Sequence, residues 1–154
     1  MAMKESVNLF ITDSWDTDSI VTLYRDAGWW RDEYNPDDIP RIIRSSSRFC
    51  VGVLNTTCET IATGRLISDQ VSTGYIQDMC VLKKYRGLGV GRRLLQFLTH
   101  AAADAGLVNI ILVAEPGTCP FYERSDFITN KNKIFLLFKE RLTNENSGRR
   151  LSPD

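Results

Sequence analysis

Histidine is almost missing from this sequence: His100 is the only one in 154 residues. Cysteine is sparse as well, with Cys50, Cys58, Cys80 and Cys119 and no C-x-x-C pair. A structural zinc centre needs four such ligands at close, paired spacing, so no metal site is read here. The cysteines read instead as buried or half-buried free thiols of a reducing compartment. No stretch approaches the roughly 20 apolar residues that a membrane span requires. No apolar run follows a basic N-terminal region, so no secretory leader is read. Charge of one sign is also lacking: 19 basic residues balance 19 acidic ones. The bulk field therefore offers nothing to nucleic acid. These absences leave a cytosolic, metal-free chain with neither nucleic acid nor membrane as partner.

Hydrophobic residues make up 43% and charged residues 25%, enough apolar material for one core of ordinary density. A single domain is expected over residues 1–142, with 143–154 a polar, disordered tail. Val7 to Ile11 reads as an edge strand. In "TDSIVTLYRDAGWW", Ile20, Leu23, Tyr24 and Ala27 recur at helical spacing, with Asp16 or Thr17 to cap the start and Gly28 to end it. In "NPDDIPRIIRSS", Asn35 is placed as N-cap and Pro36 at the first helical position. Three strands follow: "SRFCVGVL", "TIATGRLIS" across the connection "NTTCE", and "STGYIQDMCVL" at 72–82. "GRRLLQFLTHAAADAG" puts Leu94, Leu98, Ala101, Ala102 and Ala105 on one helical stripe, with Gly106 as the stop. "NIILVA", 109–114, suits a strand buried on both faces. "PGTCPFYERSDF" reads as a short helix and turn, and "KIFLLFKE", 133–140, as a last strand. The unit 72–114 is thus a βαβ crossover with a parallel pair.

Between that third strand and its helix lies "KKYRGLGVGRR", residues 83–93, with three alternating glycines among five basic side chains. The first amides of a helix lack intrahelical partners, and the dipole makes that end positive. Gly87, Gly89 and Gly91 carry no Cβ, so their N–H groups can approach a bulky anion. Arg86, Arg92, Arg93, Lys83 and Lys84 add charge at the rim. The pattern points to a phosphate ester or pyrophosphate. The spacing G-x-G-x-G is neither the dinucleotide fingerprint nor the P-loop, which counts against a nucleotide-binding domain.

"VLKKYRGLGVGRRLL" resembles the acetyl-CoA motif R/Q-x-x-G-x-G/A of the GNAT superfamily of N-acetyltransferases, with Arg86, Gly89 and Gly91 at its fixed positions. "PFYERSDF" is similar to that family's C-terminal F-Y-E-x-x-G-F segment, except that Asp126 stands where glycine is usual. The resemblance implies an α/β (α+β) fold: a mixed, mostly antiparallel sheet splayed at a central parallel pair, with helices on both faces. It implies acetyl-CoA as cosubstrate, its pantetheine arm along the backbone of Met79, Cys80 and Val81. The pyrophosphate would then lie on the loop formed by Arg86, Gly87, Leu88, Gly89, Val90, Gly91 and Arg92. Where the family often has an asparagine after the second strand of the pair, this chain has Glu115.

Acyl transfer to an amine needs a neutral amine, a polarised carbonyl and a proton for the departing thiolate. Tyr122 matches the family's general acid; read alone, without that motif, it is a core tyrosine packed beside Phe121. Asp78 is a candidate to hold the amine or relay its proton, or else a structural partner of an arginine. Its neighbour Gln77 is expected on the opposite strand face. Glu115 is a second acidic candidate. Trp29, Trp30 and Tyr34 either form an apolar acceptor pocket or cap the core. The activity implied is transfer of an acetyl group from acetyl-CoA to a primary amine, small or peptidic. A non-catalytic acyl-CoA sensor is the competing reading, and a homodimer is one admissible assembly.

Overall fold

The computed structural model describes residues 6–137. The strands are β1 (Val7–Ile11), β2 (Arg48–Leu54), β3 (Thr60–Ser68), β4 (Thr73–Val81) and β5 (Asn109–Leu112). The helices are α1 (Thr17–Asp26), α2 (Asp38–Ser45), α3 (Val90–Asp104) and α4 (Cys119–Glu123). One sheet runs β1-β2-β3-β4-β5, antiparallel throughout except for the parallel β4–β5 pair.

Local chemistry sets the helix ends. Asp16 caps α1, its Oδ2 accepting from the Ser19 amide at 2.8 Å and the Ser19 hydroxyl at 2.6 Å. Gly28 takes φ +81° just past the C-terminus of α1. In α2 the expected cap moves: Asn35 Oδ1 closes a turn on the Asp37 amide at 3.0 Å, and helix begins only at Asp38. Pro40 then falls in the first turn, where its missing N–H costs nothing. On α3, Val90, Leu94, Leu95, Leu98 and Ala102 are buried. Ala105, expected on that stripe, is exposed as the C-cap residue just beyond the end of α3.

Helices cover both faces of the sheet. On one face the Cys80 thiol lies 4.0 Å from the Leu23 carbonyl of α1, and α2 packs beside α1 through buried Ile39 and Ile43. On the other, a Cβ at Gly64 of β3 would meet Leu98 and Leu94 of α3. Burial pushes the Cys50 thiol up to about 12, and the Cys80 thiol is raised further by burial and by Asp78. Cys58 and Cys119 are exposed, and all four cysteines are free.

Two strand expectations change. β5 ends at Leu112 and, among the described residues, pairs only with β4. Ile111 and Val113 are about half exposed there, because burial on both faces needs a further neighbour. Residues 133–137 form no strand, and Ile134 to Leu137 project apolar side chains into solvent. Residues 138–140 of that expected strand, and the tail at 143–154, lie outside the described residues. Among the described residues, no helix is long and apolar enough to cross a membrane.

Candidate active site

β4 and β5 pair only from Thr73↔Asn109 to Ile76↔Leu112. Beyond Ile76, β4 continues for five residues, Gln77 to Val81, while β5 stops. The two strands therefore part, and among the described residues the far half of β4 keeps a strand partner only on the β3 side. The Leu82 amide donates to Ile61 O of that neighbour at 2.9 Å. Peptide groups along a strand alternate between its two neighbours. Cys80 thus turns its backbone to β3, while Met79 and Val81 turn theirs to the open edge. The Cys80 thiol lies on the α1 face, 4.0 Å from the Leu23 carbonyl.

The ladder is irregular at the point of parting. Thr63 pairs with Cys80 and Arg65 with Gln77, so Asp78 and Met79 together oppose Gly64. This is a β-bulge, with Asp78 at φ +54°. It overturns the expectation that Gln77 and Asp78 face opposite ways. The Arg65 guanidinium takes both, Nε donating to Asp78 Oδ2 at 2.8 Å and an Nη to Gln77 Oε1 at 3.0 Å. The Asp78 side chain is 3% exposed, and its carboxylate is held in a buried ion pair with Arg65. Strand periodicity could not find this bulge; Gly64, a glycine inside a strand, was the available signal.

After Val81 comes a 3₁₀ turn, Lys83–Tyr85, and then the glycine turn. Gly87 and Gly89 have φ +77° and +83°, and no atom lies within 4 Å of where a Cβ would stand on either. The turn is open on its outer side. Gly89 is the N-cap of α3 and brings no side chain to its first amides. The first intrahelical bond is from Arg93 N to Gly89 O, which leaves the amides of Val90, Gly91 and Arg92 ahead of the ladder. This geometry fits a pyrophosphate. The basic residues divide. Arg86 Nε donates to Val81 O at 3.0 Å and ties the turn to the end of β4. Arg93 reaches back to Val7 O at 2.8 Å, and Lys84 pairs with Glu59 at 2.7 Å. Arg92 is left as an exposed cation on the first turn of α3. Leu88, 63% exposed, lies at the tip between the glycines.

α4 closes the third side. A Cβ at Gly91 would lie 3.4 Å from Phe121 Cζ and 3.8 Å from Val81 Cγ2, so α3, α4 and the end of β4 converge there. Tyr122 stacks edge-on against Phe121 and Phe127, with centroids at 5.0 and 6.1 Å. Burial, and after it the nearby Glu115 carboxylate, holds the Tyr122 phenol above its ordinary value. Glu115 itself is exposed, and its carbonyl accepts from the Thr118 amide and hydroxyl, which starts the turn into α4. Asp126 adopts φ +68°, the left-handed conformation that a glycine would supply, and the Phe127 amide returns to Tyr122 O at 3.2 Å.

The aromatic group after α1 divides as well. Trp30 and Tyr34 are buried in the core and meet edge-to-face at 5.6 Å. Trp29 is half-buried against Tyr24 at 5.8 Å. His100 is exposed on α3. No cluster of His, Cys, Asp or Glu able to hold a metal occurs among the described residues.

Comparison with known proteins agrees with this geometry. The Bacillus subtilis protein YjcF, named an uncharacterised N-acetyltransferase, is 38% identical over 63 residues, 41% of this chain and 45% of its own. A glucosamine 6-phosphate N-acetyltransferase of Trypanosoma brucei brucei is 31% identical over 65 residues, 42% of this chain and 44% of its own. The chain thus spans less than half the length of these curated relatives. An acetyltransferase crystal structure from Trypanosoma brucei superposes with a TM-score of 0.71 at 20% identity, covering 86% of this chain and all of that one. At that identity the likeness speaks for the fold. The family model described as Acetyltransferase (GNAT) family matches residues 13–127, from the loop before α1 through the turn after α4. A match that takes in the bulged strand, the glycine turn and the tyrosine helix together means that this chain belongs to the GNAT acetyltransferase family.

Proposed function

We propose that the protein transfers an acetyl group from acetyl-CoA to a primary amine by direct attack. The observation that carries this reading is the meeting, at Gly91, Phe121 and Val81, of an open strand edge, a helix start with unspent amides and a half-buried tyrosine. The backbone of Met79 and Val81 would pair with the pantetheine arm. The turn from Gly87 to Gly91, with the Arg92 amide, would hold the pyrophosphate, and Arg86 keeps that turn fixed to β4. A backbone N–H of the open edge polarises the acetyl carbonyl. The amine nitrogen attacks the carbonyl carbon, the C–S bond breaks, and the Tyr122 hydroxyl gives its proton to the leaving sulfur. The phenolate regains a proton from solvent, and the amine's surplus proton leaves to water on the side of exposed Glu115. Asp78, bound to Arg65, serves the shape of the strand and not the proton.

Trp29 is the aromatic residue of the α1 end left to flank an acceptor. The buried free thiols support a reducing, cytosolic setting. The outer edge of β5, which has no strand beside it among the described residues and carries exposed Ile111 and Val113, supports a homodimer formed through that edge. The test is a thiol-release assay with acetyl-CoA against a panel of amines, with products checked by intact mass. Amino-sugar phosphates lead the panel, because a Trypanosoma relative is named for one. The expected outcome is CoA release that depends on an amine, together with stabilisation of the fold against heat by acetyl-CoA. At a hundred times Kd that linkage contributes about 2.7 kcal/mol. Stabilisation with no turnover on any amine would turn the assignment to an acyl-CoA sensor. Stabilisation by ATP or NAD in place of CoA would remove it.

A further inference from the structure

The bulge in β4 depends on Asp78 of β4 itself and on Gly64 and Arg65 of the neighbouring β3. Asp78 takes a left-handed φ of +54°, which a residue other than glycine holds only when its surroundings over-determine it. Gly64 supplies the room: a Cβ there would stand 2.8 Å from Met79 Cγ and 3.1 Å from Leu98 Cδ1, so any larger residue would push Met79 off its place. Arg65 supplies the grip. Its guanidinium, on a side chain 13% exposed, bridges Asp78 Oδ2 and Gln77 Oε1, the two consecutive residues at which β4 leaves β5. A planar guanidinium with a rigid fork of donors fixes two acceptors relative to each other, which a lysine cannot do. The peptide group that follows the bulged residue is that of Met79, on the open edge.

We infer that Arg65 is a positioning residue for acyl transfer: by clamping Gln77 and Asp78 it sets the bulge that aims the Met79 N–H at the carbonyl of a bound acyl thioester. This rests on the acetyl-CoA reading above. Arg65 touches no substrate; it acts through the strand. Its contribution is therefore specific to ligands that carry a carbonyl, whereas a merely structural arginine would affect all ligands of the cleft alike.

Acetyl-CoA and S-ethyl-CoA, the thioether without the carbonyl oxygen, separate the two cases by calorimetric titration without any acceptor amine. The wild type is expected to prefer acetyl-CoA by roughly fivefold, the worth of one net hydrogen bond. Arg65→Met is expected to reduce that preference to less than about twofold while its affinity for S-ethyl-CoA stays unchanged; Arg65→Lys, one point charge in place of a fork, is expected to fall between. Removing a partner of a buried carboxylate is costly, so circular dichroism accompanies each titration. If Arg65→Met is unfolded, the double variant Arg65→Met/Asp78→Asn, which removes the buried charge as well, takes its place with the same expectation. A folded variant that keeps the wild-type preference overturns the inference and leaves the acetyl-CoA reading intact. A folded variant that loses both ligands overturns it too, since Arg65 then supports the whole cleft. A wild type that binds neither ligand overturns the reading and the inference together.

Discussion

Tyr122 keeps its hydroxyl protonated by two local means. Burial among Phe121 and Phe127 disfavours the phenolate, and the Glu115 carboxylate adds repulsion to it. The ordinary phenol value is about 10, so a raised one places the loss of the acid form above that pH. Activity limited by this proton should hold across neutral pH and fall only as pH climbs past 10. Tyr122→Phe keeps the ring contacts and removes the proton. We expect kcat to drop by roughly 10²–10⁴-fold with little change in acetyl-CoA affinity, and the alkaline fall to vanish from the rate profile. Initial rates of both enzymes between pH 7 and 11 check this; equal kcat values would take Tyr122 out of the reaction. Asp126 shows the opposite relation between residue and backbone. Its left-handed φ of +68° fulfils a glycine's role, because a short polar side chain tolerates that conformation.

The glycine turn and the start of α3 work as one element. At Gly89 the constraint is conformational: φ is +83°, with nothing near enough to clash with a side chain. A valine there meets about 1–2 kcal/mol of backbone strain and would extend into the open side of the turn. Gly89→Val should therefore leave a folded protein, as the five buried residues of α3 still anchor the helix. Its dissociation constant for CoA should rise by roughly tenfold or more, because the helix amides lose their close approach to phosphate. Titration with CoA, beside a thermal melt of the empty protein, separates these effects. A folded Gly89→Val protein with unchanged affinity would mean that the phosphate lies elsewhere.

Across the whole molecule, charge is balanced and apolar surface is not. The sheet is covered on both faces by helices, yet among the described residues no strand lies beyond β5, where Ile111 and Val113 are exposed, with Ile134 to Leu137 exposed further along the chain. An open apolar edge of this kind recruits another strand. Light scattering at micromolar concentration should give a mass near twice the 17.5 kDa of the chain. Ile111→Lys, which places a charge on that edge, should shift the mass to the monomer without lowering CoA affinity. A wild type that scatters as a monomer at every concentration would remove the homodimer.

Sequence by itself determined the order of elements from β1 to α4 and the place of the glycine turn at the start of α3. Each of these is written locally: alternation for β2, β3 and β4, a 3.6-residue stripe for α1 and α3, and glycines with basic residues at a strand–helix junction. Tertiary structure alone decided three matters. Arg65, thirteen positions from Asp78, captured the carboxylate because antiparallel pairing laid β3 against β4; no local pattern holds that contact. The bulge turned Gln77 to the same guanidinium, since one inserted residue shifts the alternation that strand periodicity assumes. Trp30 and Tyr34 joined the buried core cluster, which an aromatic stretch does not reveal in sequence because it looks the same whichever surface it covers.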